Sequence, residues 1–291
     1  MKPVVLALGT CISHAALVAI RETEECRDKF DFQYQFGTVD RTTHPIPDEI
    51  LSRTRLIIQD LGPWQAATHL SEEERAVLPE DAVSINIPTL HFNTLWPLLG
   101  VDPRQKIKPG LPYGRYPMPW TDRVAMEMVR QYPDLEQRVA AYLAYDVEKH
   151  VDLDHFHTMQ VIAMFQREQA SDLQFAAMVT TNFTKECLYY ENHHPSVELM
   201  VNLVTQILGS RKFAQLHRGN IPAMVRDARS YFAVHDPFAV EQVPIHPAVA
   251  KHFDLKWWSE DRIYPILGRL FTFESYIRDY MTEDMPAEDG S

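Results

Sequence analysis

A cysteine follows the first apolar run of the sequence, at the point where a helix is predicted to begin. Gly9 ends the run over residues 3–8, and Thr10 and Cys11 come directly after it. A side chain at such a strand-to-helix turn lies at the helix N-terminus, where N–H groups and the helix dipole stabilise an anion. Cys11 is therefore a candidate thiolate nucleophile. The alternative is that it is a small, inert apolar residue, as many unpaired cysteines are.

Histidines at two places could supply the base that such a nucleophile needs. His14 follows Cys11 by one helical turn, so it is one candidate. His193 and His194 precede Pro195, which we expect in the first turn of a later helix. His194 is the second candidate base. The alternative is a surface turn lined by histidines, because the chain contains 13 of them.

The elements that must position these residues alternate between strands and helices over the first 90 residues. Apolar or alternating runs predict strands over residues 3–8, 32–36, 55–60 and 82–87. Helices are predicted over residues 15–25 and 48–53 and from Ser71, with Ser13 capping the first, and Ser71 and Glu74 forming a capping box. This alternation is typical of βαβ units and a mainly parallel sheet with flanking helices.

Polar residues follow three of the predicted strands. Ligands of such sheets lie beyond the carboxyl ends of the strands. We therefore predict that one edge of the sheet carries Thr10, Cys11, Gln59, Asp60 and Asn86. Asp60, or Glu191 further along the chain, could orient a histidine base and complete a Cys–His–acid set.

A segment rich in proline and glycine, residues 97–122, interrupts the pattern. Long irregular segments inside a domain are usually functional or disordered. This one contains more basic than acidic residues, although the chain as a whole has a formal net charge of −12. We predict that it covers the site and that its basic residues, including Arg104, Lys106 and Lys108, bind phosphate groups.

The remainder of the chain is predicted to be mostly helical. Helices are expected over residues 123–131, 135–147, 153–171, 197–208, 247–253 and 273–281, with Gly209 as a C-cap, and short strands over residues 178–181 and 187–190. The predicted fold is thus α/β: a mainly parallel N-terminal sheet of flavodoxin or SGNH type, then a largely helical C-terminal half. We expect a single domain over residues 1–291, with a βα-repeat core over 1–96, a covering loop over 97–122 and a helical portion over 123–285 that completes the site.

Composition and missing motifs exclude several classes of protein. The acidic charge disfavours nucleic-acid partners, and the sequence has no Walker, GxGxxG or GxSxG motif. No run approaches the ~20 apolar residues of a membrane span, and no clear signal peptide is seen. The three cysteines are widely spaced, which favours a reducing, cytoplasmic location. No metal site is predicted, because the spacing of His150, Asp152, Asp154, His155 and His157 matches no fixed ligand geometry.

Several short motifs resemble those of the WcbI-type polysaccharide biosynthesis family. The family begins with a strand ending in Gly-Asn-Cys-Gln, and this chain has Gly-Thr-Cys-Ile over residues 9–12. Gln59 matches a strand-ending glutamine of the family, and residues 189–196 match its aromatic stretch with Asn-His-Pro before a long helix. Thr10, Ile12 and His193 stand where the family has amide side chains. Cys11 and His194 are retained.

The resemblance implies coenzyme A binding and transfer of an acyl group, such as acetyl, to a sugar in capsule or exopolysaccharide assembly. In that setting Cys11 takes the acyl group or lies against the thioester, and His194 deprotonates the sugar hydroxyl. His14 is a further catalytic candidate. The residues predicted to bind acyl-CoA and a sugar, nucleotide-sugar or glycan acceptor are Thr10, Ser13, Gln59, Asn86, His193, Arg104, Lys106 and Lys108.

Two other functions remain open. One is an SGNH-like esterase with cysteine in place of serine. The other is a non-catalytic ligand-binding subunit of a glycan assembly complex, in which Cys11 is inert. A homo-oligomer is compatible with either function and with acyl transfer.

Overall fold

The structure is a computed structural model that describes residues 1–37, 44–61, 69–101, 120–266 and 268–282. The chain divides into two compact units. The first comprises Met1–His91, Ile162–Thr181 and His193–Pro237, and the second comprises Phe92–Val161, Asn182–Asn192 and Phe238–Ser291. The single domain expected from the sequence stays a prediction, and each unit is described by itself.

Strands and helices are numbered in chain order over the described residues. The strands are β1 (Val4–Gly9), β2 (Asp31–Phe36), β3 (Thr54–Asp60), β4 (Val83–Ile87), β5 (Leu99–Val101), β6 (Trp120–Asp122), β7 (Tyr189–Glu191), β8 (His194–Pro195), β9 (Tyr264–Ile266) and β10 (Arg269–Phe271). The helices are α1 (Cys11–Arg21), α2 (Glu24–Arg27), α3 (Asp48–Leu51), α4 (Glu72–Val77), α5 (Arg123–Gln131), α6 (Leu135–Leu143), α7 (Val147–His150), α8 (Leu153–Glu168), α9 (Ala176–Asn182), α10 (Val197–Gly209), α11 (Arg211–Leu216), α12 (Ile221–Val234), α13 (Pro247–His252) and α14 (Phe273–Tyr280).

A parallel sheet of order β2-β1-β3-β4 forms the centre of the first unit. All six residues of β1 are buried, as expected for a central parallel strand covered on both faces. The order is that of the first four strands of a flavodoxin-like doubly wound sheet. This confirms the predicted α/β class, the four predicted strands and the helical C-terminal half.

The first helix begins earlier than the sequence suggested. We expected a helix from residue 15 capped by Ser13, but α1 begins at Cys11 and is capped by Thr10, whose Oγ1 accepts a hydrogen bond from the Ile12 N–H. Ser13 is fully buried and its hydroxyl donates to the Thr10 carbonyl at 2.9 Å. The turn after Gly9 is therefore one residue long, and Cys11 lies in the first turn of α1.

The predicted strand over residues 178–181 is wrong, because these residues belong to α9. The β-branched side chains of residues 179–181 favour a strand, but a carboxylate at the end of the preceding helix overrides that preference. The Glu168 carboxylate accepts hydrogen bonds from the backbone N–H groups of Phe175 and Ala176, at the start of α9. The satisfied N–H groups stabilise a helix that local propensity disfavours.

Other helix boundaries differ by smaller amounts. The predicted helix over residues 135–147 ends at Leu143, and Asp146 caps a new helix, α7, that begins at Val147. Gly209 lies within α10, and Ser210 ends that helix and caps α11. The capping box of Ser71 and Glu74 at α4 is confirmed.

The second unit contains two antiparallel strand pairs, β5 with β6 and β9 with β10. Asp122 at the end of β6 caps α5 by accepting from the Val124 and Ala125 N–H groups at 2.8 and 3.0 Å. The Tyr142 hydroxyl of α6 donates to the same carboxylate and ties α6 to the start of α5. Burial raises the pKa of Asp122 to about 6. None of the described helices is long and apolar enough to cross a membrane.

Candidate functional site

The structure brings Cys11 and His194 together within the first unit. The distance from Cys11 Sγ to His194 Nε2 is 3.8 Å, although the two residues are 183 positions apart in sequence. Cys11 lies in the first turn of α1 and is partly exposed, whereas His194 in β8 is only 5% exposed. A thiol at a helix N-terminus facing an imidazole is the arrangement of an activated cysteine nucleophile.

His194 is uncharged at neutral pH, because its burial lowers its pKa from 6.5 to about 4. Its neighbour His193 has a ring centroid 4.7 Å away. Burial and the neighbouring imidazoles of His194 and His91 lower the pKa of His193 well below 6.5. A neutral Nε2 that faces a thiol can accept its proton.

His91 is a further member of this group, and the sequence patterns did not identify it. Its ring centroid lies 5.5 Å from that of His193. Burial, and then the charge of Arg167, lower the pKa of His91 to about 4. Arg167 also donates to the His91 carbonyl at 2.7 Å. The signal in the sequence was the position of His91 just beyond the end of β4, where ligand-binding residues of parallel sheets lie.

Asp60 holds the start of α1 in place. The Thr10 hydroxyl donates to Asp60 Oδ2 at 2.7 Å while it accepts from the Ile12 N–H. The predicted ligand-binding role of Thr10 stays a prediction, but its hydroxyl has a structural use as the helix cap. The sequence offered Asp60 and Glu191 as acids that could orient a histidine base. Asp60 accepts a hydrogen bond from Thr10, and Glu191 belongs to β7 of the second unit.

Gly9 permits β1 and β3 to approach each other beside the site. A Cβ atom at position 9 would lie 2.6 Å from the Asp60 Cβ and 2.7 Å from the Ser13 Oγ. The φ angle of Gly9, +153°, is also one that residues with side chains rarely adopt. No side chain fits between the first turn of α1 and the end of β3, so the position requires glycine.

His14, the other candidate base, packs against β2. Its ring stacks on Tyr34, with centroids 4.4 Å apart, and the side chain is exposed. The Tyr34 hydroxyl donates to the carbonyl groups of Gly9 and Thr10 at 3.3 and 3.1 Å. His14 therefore packs on the residue that holds the turn, and the histidine nitrogen beside Cys11 is that of His194.

The neighbouring strand ends meet as the sequence predicted. The Gln59 side-chain amide donates to Asn86 Oδ1 at 2.5 Å across β3 and β4. The Asp172 carboxylate accepts from the Asn86 backbone N–H at 2.7 Å, and Lys212 donates to that carboxylate at 2.6 Å. Gln59 and Asn86 form one edge of the sheet beside the Cys11 turn, and their ligand-binding roles stay predictions.

The site lies at a position where parallel sheets bind ligands. In a doubly wound sheet, ligands bind at the carboxyl ends of two adjacent strands from which the chain continues in opposite directions. For the strand order β2-β1-β3-β4, these two strands are β1 and β3. Cys11 follows β1 and Asp60 ends β3. Topology and side-chain chemistry therefore indicate the same place.

The family model described as "Polysaccharide biosynthesis enzyme WcbI" matches residues 7–215. The chain belongs to the WcbI family. The match includes the end of β1, all of β2 to β4, Cys11 and His194, and it confirms the resemblance seen in the sequence. No curated protein sequence matches the chain.

A solved structure of WcbI, described as a novel polysaccharide biosynthesis enzyme, is similar in fold. It superimposes with a TM-score of 0.68 at 15% sequence identity, over 97% of this chain and 89% of that chain. Its description is of the native protein without a disulfide bond between coenzyme A and a cysteine. At this identity the likeness establishes the fold.

Three predicted binding residues within the WcbI match, Arg104, Lys106 and Lys108, lie outside the described residues. Of the predicted covering loop over residues 97–122, the described ends include the paired strands β5 and β6. The phosphate-binding role of the three basic residues stays a prediction.

The histidines and aspartates of the segment between residues 150 and 157 take separate partners in the second unit. His150 Nδ1 bonds the Asp146 carbonyl at 2.7 Å, and His157 Nδ1 bonds Thr94 Oγ1 at 3.1 Å. Asp154 bonds His252 at 3.0 Å. His150, Asp154 and His157 thus each form a hydrogen bond with a different partner.

Proposed function

We propose that this protein binds coenzyme A beside Cys11 and transfers an acyl group, such as acetyl, from the thioester to a sugar hydroxyl in polysaccharide biosynthesis. The observation that carries the proposal is the 3.8 Å contact between Cys11 Sγ and the buried His194. Membership of a family of polysaccharide biosynthesis enzymes supports a sugar acceptor. We further propose a capsular or exopolysaccharide product and a cytoplasmic location.

Cys11 fits a coenzyme A site better than the other two cysteines. Cys26 is fully buried, and burial raises its pKa. Cys187 donates to the Tyr189 carbonyl at 3.4 Å in the second unit. Cys11 alone of the three combines partial exposure, a helix N-terminus and a facing imidazole. The description of the similar solved protein, which names coenzyme A and a cysteine together, supports the same choice.

The reaction we propose has two acyl-transfer steps. His194 Nε2 takes the proton of the Cys11 thiol as the sulfur attacks the thioester carbonyl, and the coenzyme A thiol leaves with that proton. An acyl-cysteine remains. The sugar hydroxyl then attacks it, with His194 accepting the hydroxyl proton and returning it to the Cys11 sulfur. The N-terminus of α1 stabilises negative charge that develops in each step.

The phosphate groups of coenzyme A require positive charge near this site. We propose that Arg104, Lys106 and Lys108 supply it, because they form a basic segment in an acidic chain. Replacing Lys106 and Lys108 together by glutamate should weaken coenzyme A binding and make the remaining affinity less sensitive to salt. The Kd measured by calorimetry at two salt concentrations tests this step.

The central experiment measures turnover of acetyl-CoA with a panel of sugar and nucleotide-sugar acceptors. Removing a positioned general base typically lowers rates by about 10²–10⁴-fold, so His194→Gln should lose that much activity while its circular dichroism is unchanged. Cys11→Ala should lose acyl transfer and any acyl adduct on the protein. His235→Gln, at an exposed histidine of the same unit, is the matched control.

Each alternative predicts a different result. Ester cleavage without coenzyme A would favour the esterase. Full activity of Cys11→Ala would refute the cysteine mechanism, and turnover without an acyl adduct at Cys11 would indicate direct transfer. If coenzyme A neither binds nor raises the melting temperature at millimolar concentration, the proposal fails and the non-catalytic subunit is favoured.

A further inference from the structure

A cysteine of the second unit lies beside an arginine. Arg262 Nη2 is 3.8 Å from Cys187 Sγ. Cys187 is partly exposed and forms no disulfide. We call these residues the Cys187–Arg262 pair, and neither has a role in the proposed acyl transfer.

The guanidinium of the pair is held in a fixed position. Its carbon lies 5.0 Å from the ring centroid of Trp257 and 5.5 Å from that of Tyr264. Arg262 Nη2 also donates to Gln242 Oε1 at 3.3 Å. Two aromatic contacts and an amide acceptor fix the cation against the sulfur, because cation–π contacts orient a guanidinium as well as attract it.

The charge of Arg262 has no carboxylate counterion among the described residues. Its partners there are an amide, a backbone carbonyl, two rings and the sulfur. Its Nε is buried and has no hydrogen-bond partner within that part of the chain. A partly buried cation without an anion is unfavourable. The acidic group in contact with it is the Cys187 thiol, whose ionisation would supply the missing negative charge.

Tyr189 and Tyr264 also bear on the ionisation of Cys187. The protonated thiol donates to the Tyr189 carbonyl at 3.4 Å, a weak contact that favours the neutral form. The Tyr264 phenol on the other side of Arg262 stays neutral, since burial raises its pKa above 10. A full positive charge 3.8 Å away outweighs one thiol–carbonyl hydrogen bond, so the thiolate is favoured relative to an ordinary cysteine.

We propose that Cys187 is a second reactive thiol of this protein, a modification site that exchanges with low-molecular-weight disulfides. The thiolate sulfur attacks one sulfur of the small disulfide, and a mixed disulfide forms as the original S–S bond breaks. The departing thiolate keeps the bonding electron pair and takes a proton from solvent. Cys187 is thereby oxidised. One half of the small disulfide is released as a thiol, and the other half stays bound to Cys187 in the mixed disulfide.

Modification removes the negative charge that faces Arg262. The guanidinium stacked on Trp257 then loses its anionic neighbour, and the tryptophan environment changes. Formation of the mixed disulfide should therefore alter tryptophan fluorescence, and a thiol reductant should restore it. Cys26 does not compete, because it is fully buried and burial raises its pKa.

The test uses the full chain with Cys11→Ala. In that protein Cys187 is partly exposed and the remaining cysteine, Cys26, is buried. Its alkylation by iodoacetamide is followed by peptide mass spectrometry from pH 5 to 10, and adduct formation with glutathione disulfide is followed in parallel. We expect the alkylation rate to rise with pH with a midpoint below about 8.5, the ordinary pKa of a thiol. Arg262→Gln should raise the midpoint by about one unit, which lowers the rate at pH 7 about tenfold. Arg262→Lys should fall between the two.

Arg229→Gln is the matched control, because Arg229 pairs with Glu198 on the surface of the other unit, and it should leave the profile unchanged. If the pH profile of Cys187 alkylation in the Cys11→Ala protein has a midpoint at about 8.5 or above, the proposal is overturned whatever the Arg262 variants show. A glutathione adduct that forms at Cys187 only after unfolding would overturn it as well. If Arg262→Gln does not fold, the profile of the Cys11→Ala protein and that of Arg262→Lys decide the question.

Discussion

Replacing Gly9 by alanine should destabilise the first unit and displace the Cys11 turn. The new Cβ would lie 2.6 Å from the Asp60 Cβ and 2.7 Å from the Ser13 Oγ. Neither neighbour can move aside easily. Asp60 ends a strand paired with β4, and the fully buried Ser13 bonds the Thr10 carbonyl.

The magnitude follows from two contributions. Overpacking of a tightly packed position destabilises by about 1–3 kcal/mol. An unfavourable backbone angle at a residue with a side chain adds about 1–2 kcal/mol, and the φ of Gly9 is +153°. The sum is about 2–5 kcal/mol, a large part of the 5–15 kcal/mol that typically separates folded and unfolded states.

Urea denaturation measures this loss. The midpoint should fall by roughly 1 M or more, given typical denaturant slopes. Gly209→Ala is the matched control, because a Cβ there meets nothing within 4 Å and the residue is helical. The control should be neutral or more stable by up to about 1 kcal/mol. Equal midpoints for the two variants would refute the close approach of β1 and β3 at Gly9.

Three further predictions concern caps and pH. Thr10→Ala removes the α1 cap and the bond to Asp60, so it should destabilise by about 1–2 kcal/mol, and Thr10→Ser should restore most of that in the same urea titration. Ser71→Ala removes the exposed capping box of α4 and should lose about 1 kcal/mol at most, with a correspondingly small change in midpoint. The pKa of His194 is lowered from 6.5 to about 4, so the unfolded chain binds a proton there between those values and the folded protein does not. Stability should therefore fall as the pH drops from 6.5 to 4, by up to about 3 kcal/mol from this group. A His194→Gln protein that shows the wild-type pH dependence would contradict this.

The predictions from sequence that the structure confirms rest on local patterns. The apolar run of β1 identified a central strand because a buried parallel strand is apolar on both faces. The capping box of α4 was visible because both of its hydrogen bonds join residues three positions apart. Chemistry confined within one turn of chain can be recognised from residue order alone.

The errors come from side-chain contacts that the local pattern of residues does not reveal. The strand predicted over residues 178–181 is a helix because Glu168 reaches the N–H groups at its start. His14 was a candidate partner of Cys11 because it is one turn away, but its ring packs on Tyr34 instead. The sequence showed which residue types were present, and it could not show that position 194 rather than position 14 meets the thiol.

The burial of His194 constrains how Cys11 can react. A pKa of about 4 means that an imidazolium is not populated in the resting protein at neutral pH. In the proposed reaction, proton transfer from the thiol therefore accompanies attack on the substrate, when negative charge develops beside the histidine. The N-terminus of α1 stabilises that charge only while its first turn is held in place. Thr10 and Asp60 hold it, so they should influence the reactivity of Cys11 through the helix start without touching the sulfur.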